Sequence, residues 1–119
     1  MTKADYLTKV ADTKIDAAKV DEINKIYGTD LPDELKRIIS AAEESIFLDS
    51  DYRILSVDEI KNASKELHVD FKDSDLIPLV DCGENDFIVY NFKTKTWSKF
   101  NIIDEAIFKK SDSFESLLK

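Results

Sequence analysis

Four residue types on which many functional sites depend are scarce in this sequence of 119 residues. It contains two glycines, two prolines, one cysteine and one histidine. Two widely separated glycines cannot form a glycine-rich loop around a phosphate. One cysteine cannot form an internal disulfide, and together with one histidine it cannot supply a conventional zinc site. The sequence therefore predicts no disulfide-stabilised scaffold, no phosphate loop, no metal centre and no cofactor.

Long apolar runs are also missing. No run approaches the roughly 18 residues needed to cross a bilayer. The first ten residues, MTKADYLTKV, lack the apolar centre of an export signal. A single thiol suits a reducing compartment. We therefore expect no membrane partner and a cytoplasmic location.

Positive charge is in short supply. The chain has 25 acidic and 17 basic residues, which gives a net charge of −8. This balance disfavours direct nucleic-acid binding, because that affinity depends on clustered lysine and arginine. The acids concentrate in residues 43–51, which contain no base, and in residues 70–91, where Lys72 is the only base. Such segments form either an ordinary solvated surface or a surface shaped for a basic partner.

Hydrophobic periodicity predicts the helices. An apolar stripe covers residues 17–27 and ends at Gly28, a residue suited to the left-handed end of a helix. A second helix begins near Pro32, and SVDEIKNASKEL forms a third with the spacing of a capping box. The segment DSFESLL predicts a short closing helix. Residues 1–12 have near-helical spacing, and both a helix and a frayed end remain open there.

Strands are predicted between and after these helices. SIFLDSDYRIL indicates two short strands around an Asp-Ser-Asp turn. Residues 76–80 form another, and residues 87–92 are apolar at both alternating sets of positions, as in a central strand covered on both faces. A polar turn, KTKT, leads into WSKFN. The order helix, helix, two strands, helix, three strands, helix predicts an α+β domain with an antiparallel sheet flanked by helices.

The segment DCGEND, which starts at Asp81, could be a reactive site, a metal loop or a turn. A reactive Cys82 would need a base, and His68 is the only histidine. Calcium loops follow the spacing D-x-[DN]-x-[DN]-G with a distal Glu, and this segment does not. We favour a turn in which Gly83 supplies the unusual backbone shape and the side chains of Asp81 and Asp86 bind backbone N–H groups.

No motif indicates catalysis. Carboxylates are abundant in so acidic a chain, but abundance does not identify a catalytic pair. In KTKTWSKF, Trp97 and Phe100 alternate with lysines as in some surfaces that stack nucleic-acid bases. Packing of these aromatic rings in the core explains the same pattern. The sequence patterns therefore predict no enzyme.

Four blocks of sequence resemble those of one family. VDEINKIYGTDLPDELKRII resembles its opening helix and the following Leu-Pro with an acidic helix start. RILSVDEI resembles its second block, LIPLVDCGENDFIVYNF its third, and DSFESLL its closing helix. In this order, the blocks resemble the SMI1/KNR4 family of the SUKH superfamily. The resemblance covers residues 19–119, and residues 1–18 are interpreted as an N-terminal extension of the same domain.

The resemblance implies an α+β domain without enzymatic chemistry. Bacterial members of the family are typically immunity proteins that neutralise polymorphic or contact-dependent toxins, often nucleases. Related fungal proteins regulate cell-wall synthesis and signalling. The compact single-domain form here resembles the bacterial type, which implies a cytoplasmic immunity protein. The alternative is a regulatory or scaffold module that binds an unrelated protein.

Acidic side chains are the predicted binding residues. An immunity protein for a nuclease has a basic partner, and binding residues concentrate on loops held by a rigid scaffold. We expect the partner to be a basic toxin domain and the protein to be a monomer or weak dimer. The predicted partner-binding residues lie in the two acid-rich segments: Asp49, Asp51, Asp73, Asp75, Glu84 and Asp86.

Overall fold

The structure, a computed structural model, describes residues 1–49 and 51–118. Within these residues the chain forms five helices and five strands. The helices are α1 (Lys3–Asp12), α2 (Ala17–Tyr27), α3 (Asp33–Ser40), α4 (Val57–Leu67) and α5 (Phe114–Leu117). The strands are β1 (Arg53–Ile54), β2 (Leu76–Gly83), β3 (Asp86–Asn91), β4 (Thr96–Asn101) and β5 (Ala106–Ser111). They form one antiparallel sheet in the order β1-β2-β3-β4-β5, which confirms the predicted α+β class.

Local sequence signals set the helix ends. Gly28 ends α2 in the left-handed conformation, with a φ of 61°. Ser56 and Glu59 form the predicted capping box at the start of α4, where each side chain accepts a hydrogen bond from the other residue's backbone N–H. Thr2 caps α1 by accepting a hydrogen bond from the Asp5 N–H. Residues 3–12 are thus helical, and Tyr6 belongs to the same buried core as the sheet.

Two strand predictions differ from the structure. SIFLDSDYRIL forms one two-residue strand and a single bridge between Phe47 and Arg53, because a short hairpin leaves room for few backbone hydrogen bonds. Ser50 of its predicted turn lies outside the described residues. The fold also contains β5, a strand that the sequence patterns did not predict. This strand lies at the sheet edge, and none of its residues is buried, so it has no alternating apolar pattern.

Helices α1 and α5 cover one face of the sheet. Side chains that pair directly across strands lie on the same face. Tyr90 of β3 pairs with Trp97 of β4. The Trp97 ring centroid lies 5.3 Å from that of Phe114 in α5, and the Phe114 and Tyr6 centroids are 6.3 Å apart. This row of aromatic rings joins the sheet to both helices.

Helix α4 and the segment that follows it cover the opposite face. Phe87 pairs with Phe100 on this face, and the Phe100 ring centroid lies 6.1 Å from that of Phe71. Arg53 lies in the same cross-strand row and contacts Glu59 of α4. Helix α2 packs against both α3 and α4. No helix within the described residues has the length and apolar character needed to span a bilayer.

Strand β3 is central and buried on both faces, as predicted. Phe87 and Ile88 point to opposite faces and expose 4% and 0% of their surface. Ser98 of the neighbouring strand is fully buried as well. Side chains of β3 are therefore packed against other residues on both faces of the sheet.

We expect Ile88→Ala to lower the free energy of unfolding by about 2–5 kcal/mol, because it leaves a cavity in a fully buried site. The comparison variant is Ile103→Ala. Ile103 is 69% exposed, so this change should shift stability by no more than about 0.5 kcal/mol. Urea denaturation of both variants gives the two values. Equal losses would contradict the burial of β3 between two helical layers.

Candidate partner-binding surface

Three chain reversals lie together at one end of the sheet. They are formed by residues 48–49 with 51–52, by residues 83–86 and by residues 101–105, and we call them together the acidic end. Their proximity follows from the antiparallel register, because Arg53 pairs with Asp81 and Asp86 pairs with Asn101. The Ile102 N–H also donates a 3.0 Å hydrogen bond to the Asn85 carbonyl, which fixes two of the turns side by side.

The acidic end carries charge of one sign. The three turn sequences contain no lysine, arginine or histidine. Each turn contributes two acids that are exposed or, for Asp86, half-buried. They are Asp49, Asp51, Glu84, Asp86, Asp104 and Glu105. With no base among them, these carboxylates leave a negative potential at this end of the sheet.

The six acids predicted from the sequence are divided between the two ends of the sheet. Asp49, Asp51, Glu84 and Asp86 lie at the acidic end. Asp73 and Asp75 precede β2 and therefore lie at its other end, where the Phe92 N–H donates to the Asp75 carbonyl. Strand β2 has eight residues, so about 25 Å separates the two groups.

The opposite end has a balanced charge. The loop before β2 and the turn between β3 and β4 meet there, and together they contribute three acids and three lysines. These residues are Asp70, Asp73, Asp75, Lys72, Lys93 and Lys95. Both ends are rich in acids, but only at the acidic end do the turns themselves contain no base.

The turn between β2 and β3 has the predicted form in part. Gly83 has a φ of 84°, and its N–H donates a 2.9 Å hydrogen bond to Asp81 Oδ1. Asp86, predicted to bind a backbone N–H, accepts instead a 2.8 Å hydrogen bond from the side chain of Asn101. The Asp86 carboxylate therefore joins β3 to β4 and holds two of the acidic turns together.

Asp104 and Glu105 were not among the predicted partner-binding residues, because the sequence did not predict β5 and therefore did not predict the turn before it. A signal for this turn was present. Asn91 begins the turn from β3 to β4, and its Oδ1 accepts from two N–H groups within that turn. Asn101 does the same in the turn from β4 to β5. Both turns have a non-glycine residue with positive φ four positions after the asparagine, so NFKTKTW and NIIDEAI share one pattern.

Arg53 links the acidic end to α4. Its guanidinium donates to Glu59 Oε2 at 2.5 Å and lies 3.6 Å from Asp81 Oδ2. Burial works to raise the pKa of Glu59, but hydrogen bonds from Arg53 and from the Ser56 N–H outweigh it and hold the pKa below its usual value. Arg53 is thus engaged by two carboxylates. Two lysines also lie beside the first of these turns, because the Nζ atoms of Lys3 and Lys99 are each 5.2 Å from the centroid of the Tyr52 ring.

A groove of about 300 Å³ lies between α4 and the segment that leads into β1. Arg53 and Glu59 line this groove together with polar and acidic side chains of α4 and with Phe47, which is 55% exposed. Ile103 is 69% exposed in the turn from β4 to β5. The acidic end therefore combines carboxylates with accessible apolar side chains, as protein-binding surfaces do.

Cys82 and His68 have structural surroundings. Burial raises the pKa of the Cys82 thiol to about 11, which keeps the thiol protonated and weakly nucleophilic at neutral pH. His68 ends α4 in the left-handed conformation, with a φ of 58°. Within residues 1–49 and 51–118, no group of three or more histidine, cysteine or acidic side chains is arranged to hold a metal ion.

Comparison with known proteins gives one finding. A sequence model of the SMI1 / KNR4 family (SUKH-1) matches residues 14–119. No curated protein and no solved structure matches the chain. The match includes all three turns of the acidic end and the whole of the sheet.

We expect Glu59→Gln to lower the free energy of unfolding by about 1 kcal/mol at neutral pH, since it removes the charged partner of Arg53. The folded-state pKa of Glu59 is depressed, so its contribution is present above the unfolded pKa and is lost as pH falls through the folded pKa. Urea denaturation at several values between about pH 7 and pH 3 should show the two proteins converging.

The matched control is Glu66→Gln, an exposed residue of the same helix that lines the same groove. It should differ little from the parent protein at any pH. A Glu59→Gln deficit of constant size across the pH range would contradict the role of the charged pair.

Proposed function

The chain belongs to the SMI1 / KNR4 family (SUKH-1), and on this basis we propose that it is an immunity protein that binds and blocks a cognate toxin domain. The protein acts in the cytoplasm by occupying the toxin surface, and it catalyses no reaction. The observation that carries the proposal is the acidic end, where three adjacent turns contribute six acids and no base.

The partner proposed for this surface is a basic toxin domain, in particular a nuclease. A nuclease binds the phosphate backbone with clustered lysine and arginine. A surface of carboxylates placed over that cluster competes with the nucleic acid for the same cations. Opposite potentials also speed the encounter of the two proteins, by a factor of about 10 to 10³ for strongly charged pairs at low salt.

Apolar contacts supply the remaining part of the interaction. Charge complementarity chiefly sets the association rate, and buried apolar anchors slow dissociation. Phe47 and Ile103 belong to the acidic end and its adjoining groove, and both are exposed by more than half. We assign them the anchoring role beside the carboxylates.

Co-expression provides the direct test. The proposed cognate toxin domain is produced with and without the chain, and growth is measured. Restored growth together with a purified one-to-one complex is the expected result. Toxicity that persists while the chain accumulates in folded form would refute the immunity function.

Charge reversal tests the surface. Asp49→Lys with Glu84→Lys changes the acidic end, whereas Asp73→Lys with Asp75→Lys makes the same change in net charge at the opposite end. We expect the first pair to slow association with the toxin domain at least about tenfold at low salt, and the second pair to have a much smaller effect. Stopped-flow fluorescence gives the association rates.

Raised salt provides the control for this experiment. Screening over a Debye length of about 3 Å at 1 M salt should remove most of the difference between the parent protein and the acidic-end variant. Equal slowing by the two pairs would mean that net charge, and not the acidic end, attracts the partner. Unchanged rates for both would remove this surface from the interaction.

A further inference from the structure

A second groove lies on the helical side of the molecule, between α1, α3 and α5. Its volume is about 240 Å³. Leu7, Val10 and Ala11 of α1 form one wall, and Phe114 of α5 contributes to the floor. Val10 and Phe114 are buried and Leu7 is half-buried, so the inner surface of the groove is apolar and fixed by the core.

The rim of this groove is charged. Glu34 of α3 and Glu115 of α5 both line it, and both are exposed. Arg37 lines it as well, so the three charged side chains leave one net negative charge. Within the described residues, neither carboxylate forms an ion pair with Arg37 or with another base. Both carboxylates therefore line one apolar groove close enough to influence each other, and neither is paired with a base in the described part of the chain.

The position of Glu34 at this groove affects its ionisation. Burial and the nearby charge of Glu115 raise the pKa of Glu34. An acid whose pKa is raised in the folded state opposes folding when it is ionised, so this pair lowers stability at neutral pH. A cation bound beside these carboxylates favours the ionised form of Glu34 and so offsets this cost.

We propose that this groove is a socket for one arginine or lysine side chain of a protein partner. The aliphatic part of such a side chain covers Leu7 and Val10, and its charged end lies between Glu34 and Glu115. Long basic side chains divide their surface in this way, with the stem on apolar atoms and the charge at the water boundary.

The dimensions favour a single side chain over a small molecule. Pockets for drug-sized ligands have volumes of about 300–1,000 Å³, and this groove is smaller and open to solvent. Its charge disfavours an anion or an acidic peptide. A cationic side chain satisfies both the apolar wall and the paired carboxylates, and arginine is among the residues that most often anchor protein interfaces.

The proposal extends beyond the acidic end. None of the acids at the acidic end lines this groove, which is built from helices and not from strand turns. The test therefore uses a probe that requires no toxin. If co-expression refutes the immunity function, the probe titration still tests the socket. If the titration refutes the socket, the proposal for the acidic end still stands.

The probe is N-acetyl-arginine methylamide, titrated into the ¹⁵N-labelled protein while amide chemical shifts are recorded. We expect saturable shifts of the Leu7, Val10 and Phe114 amides. N-acetyl-citrulline methylamide has nearly the same shape without the charge, and it should leave them unchanged. In Glu34→Gln with Glu115→Gln, the dissociation constant should rise about tenfold, which corresponds to about 1.4 kcal/mol.

The matched control is Asp33→Asn with Asp112→Asn. These exposed acids lie next to the rim residues in sequence or close to them, and neither lines the groove. This variant makes the same change in net charge and should bind within about twofold of the parent protein. In both variants, the amide shifts of residues outside the groove report whether the fold is retained. We expect these shifts to be unchanged, because the substituted positions are exposed.

Several results would overturn the proposal. They are the absence of saturable shifts at the groove, equal shifts with the citrulline compound, and unchanged binding by the Glu34→Gln, Glu115→Gln variant. Shifts confined to the acidic end would place arginine recognition there instead. Groove shifts that grow with protein concentration in the absence of probe would identify a second copy of this chain as the occupant.

Discussion

Burial of β3 on both faces is the constraint that organises this molecule. A strand with core side chains on both sides needs a layer on each face. Helices α1 and α5 supply one layer, and α4 with the segment after it supplies the other. With both faces of the sheet covered, the surfaces left for a partner are the strand ends, the edge strands and the grooves between helices. The acidic end and the helical groove are surfaces of this kind.

The basic side chains beside the acidic end are held by contacts of their own. Arg53 lies beside the turns at the start of β1, and Glu59 and Asp81 neutralise it. Lys99, on the neighbouring face, donates its hydrogen bond to the hydroxyl of Tyr52. Lys3 lies over the same tyrosine ring, and neither lysine forms an ion pair with a carboxylate of the turns among the described residues. The ion pairs of Arg53 stabilise the start of α4 and join it to the sheet, so the charge pattern and the fold depend on shared residues.

Short-range signals made much of the fold predictable. Gly28, the Ser56–Glu59 capping box and the two-sided apolar pattern of residues 87–92 each act within one element, and the structure confirms all three. Strand β5 was not predictable from hydrophobicity, because this edge strand has no fully buried residue and Ile107 is its one apolar residue that packs against the core. The grouping of the acids needed topology. A strand lies between Asp75 and Glu84 in the sequence, and this alone places them at opposite ends of the sheet.

The turns headed by Asn91 and Asn101 are held by backbone groups and by the asparagine side chains. The residues at their tips contribute little to that framework. Substitutions at a tip therefore change what the surface recognises while the sheet beneath stays intact. Under the proposed immunity function, single substitutions at such positions can change the specificity for a toxin while the fold is retained. The tip residues can vary because the hydrogen bonds that hold each turn come from the backbone and from its first asparagine.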